Sequence, residues 1–180
     1  MGNNTEKPPE KLDYDISIIR PEMQVDDVSL RGRGMAPERL RDIKKGLLTL
    51  HTAELMAVNI YKFQITREPS EFNQHLITAM CNEMTHLQDF QVKLYEYGWK
   101  PSKLRWINWL VSATFAYISR LRGKKAILNT GIRVERKAVT HYEEFLKTID
   151  WDEDTRKIIE KDQADEYGHI SRWEALLKTL

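Results

Sequence analysis

Two short stretches of the chain could do chemistry together. NEMTHLQDF at 82–90 and DEYGHISRW at 165–173 each carry a Glu followed three residues later by a His: Glu83 with His86, and Glu166 with His169. On a helix, residues three apart lie one above the other on one face, so each pair can reach a single point in space. A lone pair of this kind is weak evidence. Two further carboxylates strengthen it. Glu54 sits in the apolar stretch AELMAVNIY, 29 residues before Glu83, and Glu135 in GIRVERKAV, 31 residues before Glu166. The chain therefore repeats one plan, a helix with a Glu and then a helix with Glu-x-x-His. Each half also sets a Tyr seven residues after its lone Glu, Tyr61 and Tyr142. Seven residues are two turns, so Glu and Tyr share a face.

Four inward Glu and two inward His are the donor set of a carboxylate-bridged dinuclear centre in a four-helix bundle. Carboxylates bridge two cations, one imidazole per metal adds a nitrogen donor, and the set balances the charge of two divalent ions. Four buried carboxylates with no cation would repel one another and lose their hydration, so they make little sense as a plain core. Asn82 and Asp165, each just before a paired Glu, are placed to orient the opposite His.

The elements that must position these residues are legible from periodicity. Ala36-Pro37-Glu38 starts a helix, and Leu40, Ile43, Leu47, Leu50, Ala53, Ala57, Ile60 and Tyr61 recur at spacings of three and four as far as about Arg67. Pro69 breaks that helix. Ser70 caps a second, which runs to Tyr97 and ends at Gly98 and Pro101. A third helix spans about Lys124 to Thr148, and a fourth follows the acidic turn Asp150–Asp154 to about Leu180. No stretch reads as a strand. The fold expected is all-α: an antiparallel four-helix bundle over 37–180 with a long crossover at 99–123. Residues 1–36, with scattered Pro and Gly and the RGRG turn at 31–34, read as an extended or partly disordered arm. The first fifteen residues match neither a secretory signal nor an Arg-rich transit peptide, and Glu6 spoils a myristoylation signal at Gly2.

The crossover carries a second message. Trp106 to Ile118 is rich in apolar residues and too short to span a bilayer, which needs about 20. Lys100, Lys103 and Arg105 precede it, Arg120, Arg122, Lys124 and Lys125 follow it, and no acidic residue occurs between Glu96 and Glu135. That pattern fits an amphipathic helix lying in a membrane interface, against the plainer reading of a connecting helix packed on the bundle. The net charge of +1 gives no pointer to nucleic acid, and the single cysteine, Cys81, rules out an intrachain disulfide framework and is expected in the core.

With these residues in place, the chain resembles the demethoxyubiquinone hydroxylase family of ferritin-like proteins. The matching stretches are HTAELMAVNIYKFQ at 51–64, EMTHLQDF at 83–90, GKKAILNTGIRVERKAVTHY at 123–142 and DEYGHI at 165–170. Val134-Glu135 followed by His141-Tyr142 is the most family-specific of them. The resemblance implies a di-iron monooxygenase that hydroxylates the ring of a polyprenylated quinone precursor with O2 in ubiquinone biosynthesis. Its two iron ions would be held by Glu54, Glu83, His86, Glu135, Glu166 and His169. It implies roles near the site for His141, Tyr142 and Tyr61, an external electron donor such as NADH, and a peripheral place on the cytoplasmic side of a membrane, the inner membrane in a bacterium. The partners it implies are membrane lipid, the quinone, and a second copy of the chain or an accessory protein of quinone biosynthesis.

The chain also departs from the family. Ala53 and Met56 stand where the family has glycines, Leu48 stands where an Arg is usual, and Arg136 replaces an acid beside Glu135. These leave the metal set intact and leave room for a divergent member acting on another quinone or aromatic lipid. A ferritin-like iron oxidase and a non-enzymatic membrane-associated bundle are the readings from other classes.

Overall fold

The computed structural model describes residues 23–180, all of them helix, turn or coil. Residues 1–22 of the arm lie outside the described residues. Five helices follow one another: α1 (Pro37–Gln64), α2 (Glu71–Glu96), α3 (Arg105–Leu121), α4 (Lys124–Thr148) and α5 (Glu153–Lys178). Pro37 opens α1 at a position whose N–H needs no partner. The Ser70 hydroxyl accepts from the Asn73 N–H at 3.3 Å and caps α2. Asn73 in turn clamps the incoming turn, accepting from the Thr66 N–H and donating to the Thr66 carbonyl, both at 2.9 Å.

α1, α2, α4 and α5 form a ferritin-like bundle in which α1 packs on α2 and α4, and α5 on α4 and α2. The buried apolar residues fall into two clusters. One holds Ile43, Leu47 and Leu50 of α1, Phe90 and Leu94 of α2, Tyr142 and Phe145 of α4 and Ile159 of α5. The other holds Ala57 and Tyr61, Leu76 and Ala79, Leu128 and Ile132, and Trp173 of the same four helices. In every helix the stretch between the two clusters carries the acidic residues singled out above. The bundle thus has a polar waist between two greasy ends.

This arrangement dictates the crossover. α2 and α4 each run from the second cluster toward the first, so they point the same way, and the chain must travel back along the bundle between them. The 17 residues of α3 do that, covering roughly 25 Å at 1.5 Å per residue. Gly123, at φ +85°, makes the turn into α4. α3 lies over α1 and α4 with an inverted polarity. Ser112, Ala116 and Ser119 are its buried residues, and the Gln64 amide donates to the Ser119 hydroxyl at 2.8 Å. Its large side chains face outward: Trp106, Leu110, Phe115, Tyr117 and Leu121 are all more than half exposed.

One expectation is corrected. Cys81 is exposed, not in the core. It sits two residues from both Ala79 and Glu83, so the 100° step per residue turns it to the opposite side of α2.

The described part of the arm is fastened to one end of the bundle. Arg31 donates from Nε to Glu96 at 2.6 Å and also pairs with Asp154. The buried Lys93 ammonium reaches Glu96 and Asp154, each at 2.9 Å, and the Tyr97 hydroxyl donates to Asp152.

Candidate metal centre

The six residues singled out by spacing meet in the waist. Glu83, Glu135 and Glu166 are fully buried, and Glu54, His86 and His169 nearly so. Their donor atoms form two groups, each able to close on one ion: Glu54, Glu83, His86 and Glu166, and Glu83, Glu135, Glu166 and His169. Glu83 and Glu166 belong to both, and Glu54 and Glu135 to one each. Two sites sharing two carboxylates are the geometry of a bridged pair.

The imidazoles point the right way for it. His86 Nδ1 lies 3.2 Å from Glu166 and 3.7 Å from Glu83. His169 Nδ1 lies 2.9 Å from Glu83 and 3.2 Å from Glu166. The Nε2 atoms face away from the cluster. His86 Nε2 is 3.3 Å from an Asp165 carboxylate oxygen and His169 Nε2 3.1 Å from the Asn82 amide. Each of these outer partners sits on the helix opposite the His it touches. At His86 the Asp165 carboxylate fixes a proton at Nε2 and leaves the Nδ1 lone pair aimed into the cluster.

The two tyrosines cross between halves. Tyr61, two turns past Glu54, donates to Glu135. Tyr142, two turns past Glu135, donates to Glu54 at 2.8 Å. The Tyr61 oxygen also accepts from Trp173 Nε1 at 3.0 Å. Gly131 makes room for that pair, since a Cβ there would fall 3.1 Å from Trp173 Nε1 and 3.3 Å from the Tyr61 oxygen.

Electrostatics and unmet polar atoms both point to a cation. Burial, with Glu83 and Glu166 alongside, pushes the Glu54 and Glu135 carboxyls well above the usual carboxylate range. Burial works on Glu83 in the same sense, but His169 and His86 hold it down at about 2. Burial opposes protonation of the imidazoles, yet Glu166 and Glu83 push His86 up to about 12 and His169 to about 9. Both oxygens of Glu83, Glu166 Oε1, Glu135 Oε2 and His86 Nδ1 are buried without a hydrogen-bond partner. Five orphaned donor atoms converging on one spot are costly in a plain core, and two divalent cations would satisfy them. The residues fit a dinuclear metal centre.

Asp162 escaped notice in the sequence. It is fully buried one turn before Glu166, with its Oδ1 3.8 Å from His86 Nε2 and 3.0 Å from Lys161 Nζ. Its i−4 relation to Glu166 was the available signal. Burial raises its carboxyl to about 6 against the pull of His86 and Lys161.

A cavity of about 440 Å³ reaches Glu54 from between α1 and α4. Met56, Ala57, Ile60 and Val134 give it apolar walls, and His141 and Lys137 line it too. Burial, and then Lys137, lower the His141 pKa. Leu48, Ala53 and Met56, three of the departures noted above, all face this cavity. Arg136, the fourth, does not. It is exposed and pairs with Glu174 at 2.7 Å, because its neighbour Glu135 takes the inward direction.

The chain is 29% identical over 121 residues to a 3-demethoxyubiquinol 3-hydroxylase of Legionella pneumophila (strain Paris), covering 66% of this chain and 57% of that protein. It is 28% identical over 140 residues to the protein of the same name from Xanthomonas oryzae pv. oryzae (strain PXO99A), covering 77% of this chain and 64% of that protein. The chain therefore spans less than two thirds of the length of the curated relatives it matches. Residues 42–174 match the family described as ubiquinone biosynthesis protein COQ7, and with the metal-competent waist lying wholly inside that match, the chain belongs to the COQ7 family.

Proposed function

We propose that the chain is a di-iron monooxygenase that hydroxylates the ring of a polyprenylated quinone precursor of the demethoxyubiquinone type, using O2 and an external reductant. The observation that carries this reading is the pair of four-residue donor groups sharing Glu83 and Glu166, with an apolar cavity ending at Glu54. The names of the relatives supply the reaction class.

Glu54, Glu83 and Glu166 with His86 would hold one iron, and Glu83, Glu135 and Glu166 with His169 the other. Bound iron supplies the electron storage and O2 activation that no side chain offers. The chain's own residues do the rest. Tyr142 and Tyr61 fix the orientation of Glu54 and Glu135 by hydrogen bonds. Asp165 and Asn82 hold the two imidazole rings. Met56, Ala57, Ile60 and Val134 exclude water from the space beside Glu54 and pack against an aromatic ring. His141 lines that space, where an imidazole held neutral by burial can take or give a proton.

The outward apolar face of α3 supports a peripheral place on a membrane. No described helix is long and apolar enough to cross one. Ser102, in the segment that leads into α3, lines the cavity between α1 and α4, so with α3 in the interface a long isoprenoid tail can stay in lipid while the ring reaches Glu54. Leu48, Ala53 and Met56 in the cavity wall favour a ring or tail shaped differently from that of the named relatives.

The test is anaerobic Fe(II) loading, metal counting and optical spectra on exposure to O2, with Glu135→Ala and Glu166→Ala in parallel. About two irons per chain, with an O2-dependent band lost in both variants, are expected. Incubation with reduced quinone precursors and mass analysis then reads the added oxygen. Iron turnover that yields no organic product would replace this reading with an iron oxidase, and absence of stoichiometric iron would reduce the waist to inherited scaffold.

A further inference from the structure

A second cavity, of about 820 Å³, lies on the other side of α1 from the one that reaches Glu54. Leu48 and Ser102 line both. Its walls are Leu48 and Leu55 of α1 and Leu87 of α2. Its polar lining is His51, Gln91, Tyr95, Lys100, Lys103 and Arg105. Three cations face one hollow and no acidic side chain does. All three are exposed at the rim of the hollow, and among the described residues none of them has an ion-pair partner. His51 is 5% exposed and its Nε2 is buried without a hydrogen-bond partner, and burial lowers its pKa. α3 begins at the rim, with no acidic residue in its first turn and no side-chain cap on its N–H groups. Exposed Leu104, Trp106 and Leu110 continue outward from that rim.

We propose that this hollow binds the phosphate of a membrane phospholipid headgroup. The proposal rests on the peripheral-membrane reading given above and deepens it. The shared chemistry is a phosphate ester anion, met by Lys100, Lys103 and Arg105, with the Tyr95 hydroxyl and the Gln91 amide as neutral donors. Two features favour a lipid over a free phosphate compound. Leu48, Leu55 and Leu87 offer an apolar surface to the glycerol and the upper acyl chain. The hollow also opens beside the apolar face of α3, where a headgroup would already lie. A lipid held there would fix the depth and rotation of α3 in the interface, and with them the position of the neighbouring substrate cavity.

The experiment uses the full chain and vesicles of phosphatidylcholine alone or with an equal part of phosphatidylglycerol. Three variants are compared with the wild type: a rim variant (Lys100→Gln, Lys103→Gln and Arg105→Gln), a charge-matched variant at the far end of α3 (Arg122→Gln, Lys124→Gln and Lys125→Gln), and Leu87→Trp, which fills the hollow without touching charge. The rim variant is expected to bind mixed vesicles roughly a hundredfold more weakly, at a few-fold per cation near the surface, and the far-end variant to lose at least tenfold less. Leu87→Trp should follow the rim variant. Equal losses from both charge variants, with Leu87→Trp unchanged, would overturn the site in favour of diffuse charge attraction. Calorimetry with soluble short-chain phosphatidylglycerol against glycerol phosphate separates the sources. Equal affinity for the two would overturn the lipid assignment in favour of a free phosphate compound. If the wild type binds neither kind of vesicle, the peripheral-membrane reading itself fails, whereas wild-type binding that the rim variant retains removes only the headgroup site.

Discussion

At the scale of single residues, the waist is held by hydrogen bonds that tie each half of the chain to the other. Tyr61→Phe strands two buried groups, Glu135 Oε1 and Trp173 Nε1, while Tyr142→Phe strands only Glu54 Oε1. At about 1–3 kcal/mol per stranded group, Tyr61→Phe should cost about twice as much stability in a denaturant titration. Equal losses would show that Trp173 finds another partner. Asn82→Ala and Asp165→Ala should leave the fold intact and weaken metal binding about 10- to 100-fold by loosening the imidazoles, read by competition with a chelator. The meeting of these six side chains was legible in the sequence because helical spacing fixes which side chains share a face. The crossing of the tyrosines was not, since spacing along one helix says nothing about which helix stands opposite. Asp162 was missed for a related reason: a lone Asp in a charged helix reads as a solvated one until its neighbours are known.

At the scale of elements, two small details decide the packing. Gly46 of α1 lies under Trp151, and a Cβ there would come within 2.6 Å of the Trp151 ring and 2.7 Å of Ile149 Cδ1. Alanine is the better helix former by about 1 kcal/mol, but displacing a packed indole costs about 1–3 kcal/mol. Gly46→Ala should therefore lower the denaturation midpoint. A rise would mean that Trp151 moves freely. The second detail is the inverted α3, which shows small residues to the bundle and large apolar ones to the outside. Replacing Trp106, Leu110 and Phe115 with Ser removes three exposed side chains worth about 1.5 kcal/mol each on burial. Vesicle flotation should fall at least a hundredfold while the circular dichroism stays helical. Unchanged flotation would sink the interfacial role of α3. The apolar run and its basic flanks were readable beforehand. The outward turn of its apolar face agrees with the interfacial reading and not with the packed connector, a choice that the basic flanks indicated and that periodicity alone leaves open, since it gives a helix a greasy side without saying which way that side looks.

At the scale of the whole molecule, the arm and the acidic turn before α5 are joined through Arg31, Lys93, Glu96, Asp152 and Asp154. Burial would raise the Asp154 carboxyl, yet Lys93 and Arg31 hold it below its ordinary 3.8. A carboxyl lowered in the folded state gives stability that is complete above the ordinary value and is lost as pH falls through the lower one. Acid below about pH 4 should free the arm before the bundle. Exchange of the Ser29 and Arg31 amides, which donate to Glu96 at 3.0 and 2.8 Å, reads that release, and simultaneous loss of bundle protection would refute it. No sequence signal marked Lys93 and Glu96 as buried, because their partners come from segments about 60 residues away on either side.

The two donor groups carry a consequence for assembly. Glu83 and Glu166 come from different helical hairpins and each serves both groups, so neither hairpin alone can complete either one. Either hairpin alone offers only three of the six donors. Tight metal capture would then be a late event, open only to chains whose halves have docked. If the waist holds iron as proposed, a half-built site would have little grip on it, and the order in which the chain folds would avoid the uncontrolled redox chemistry of a partly caged ion.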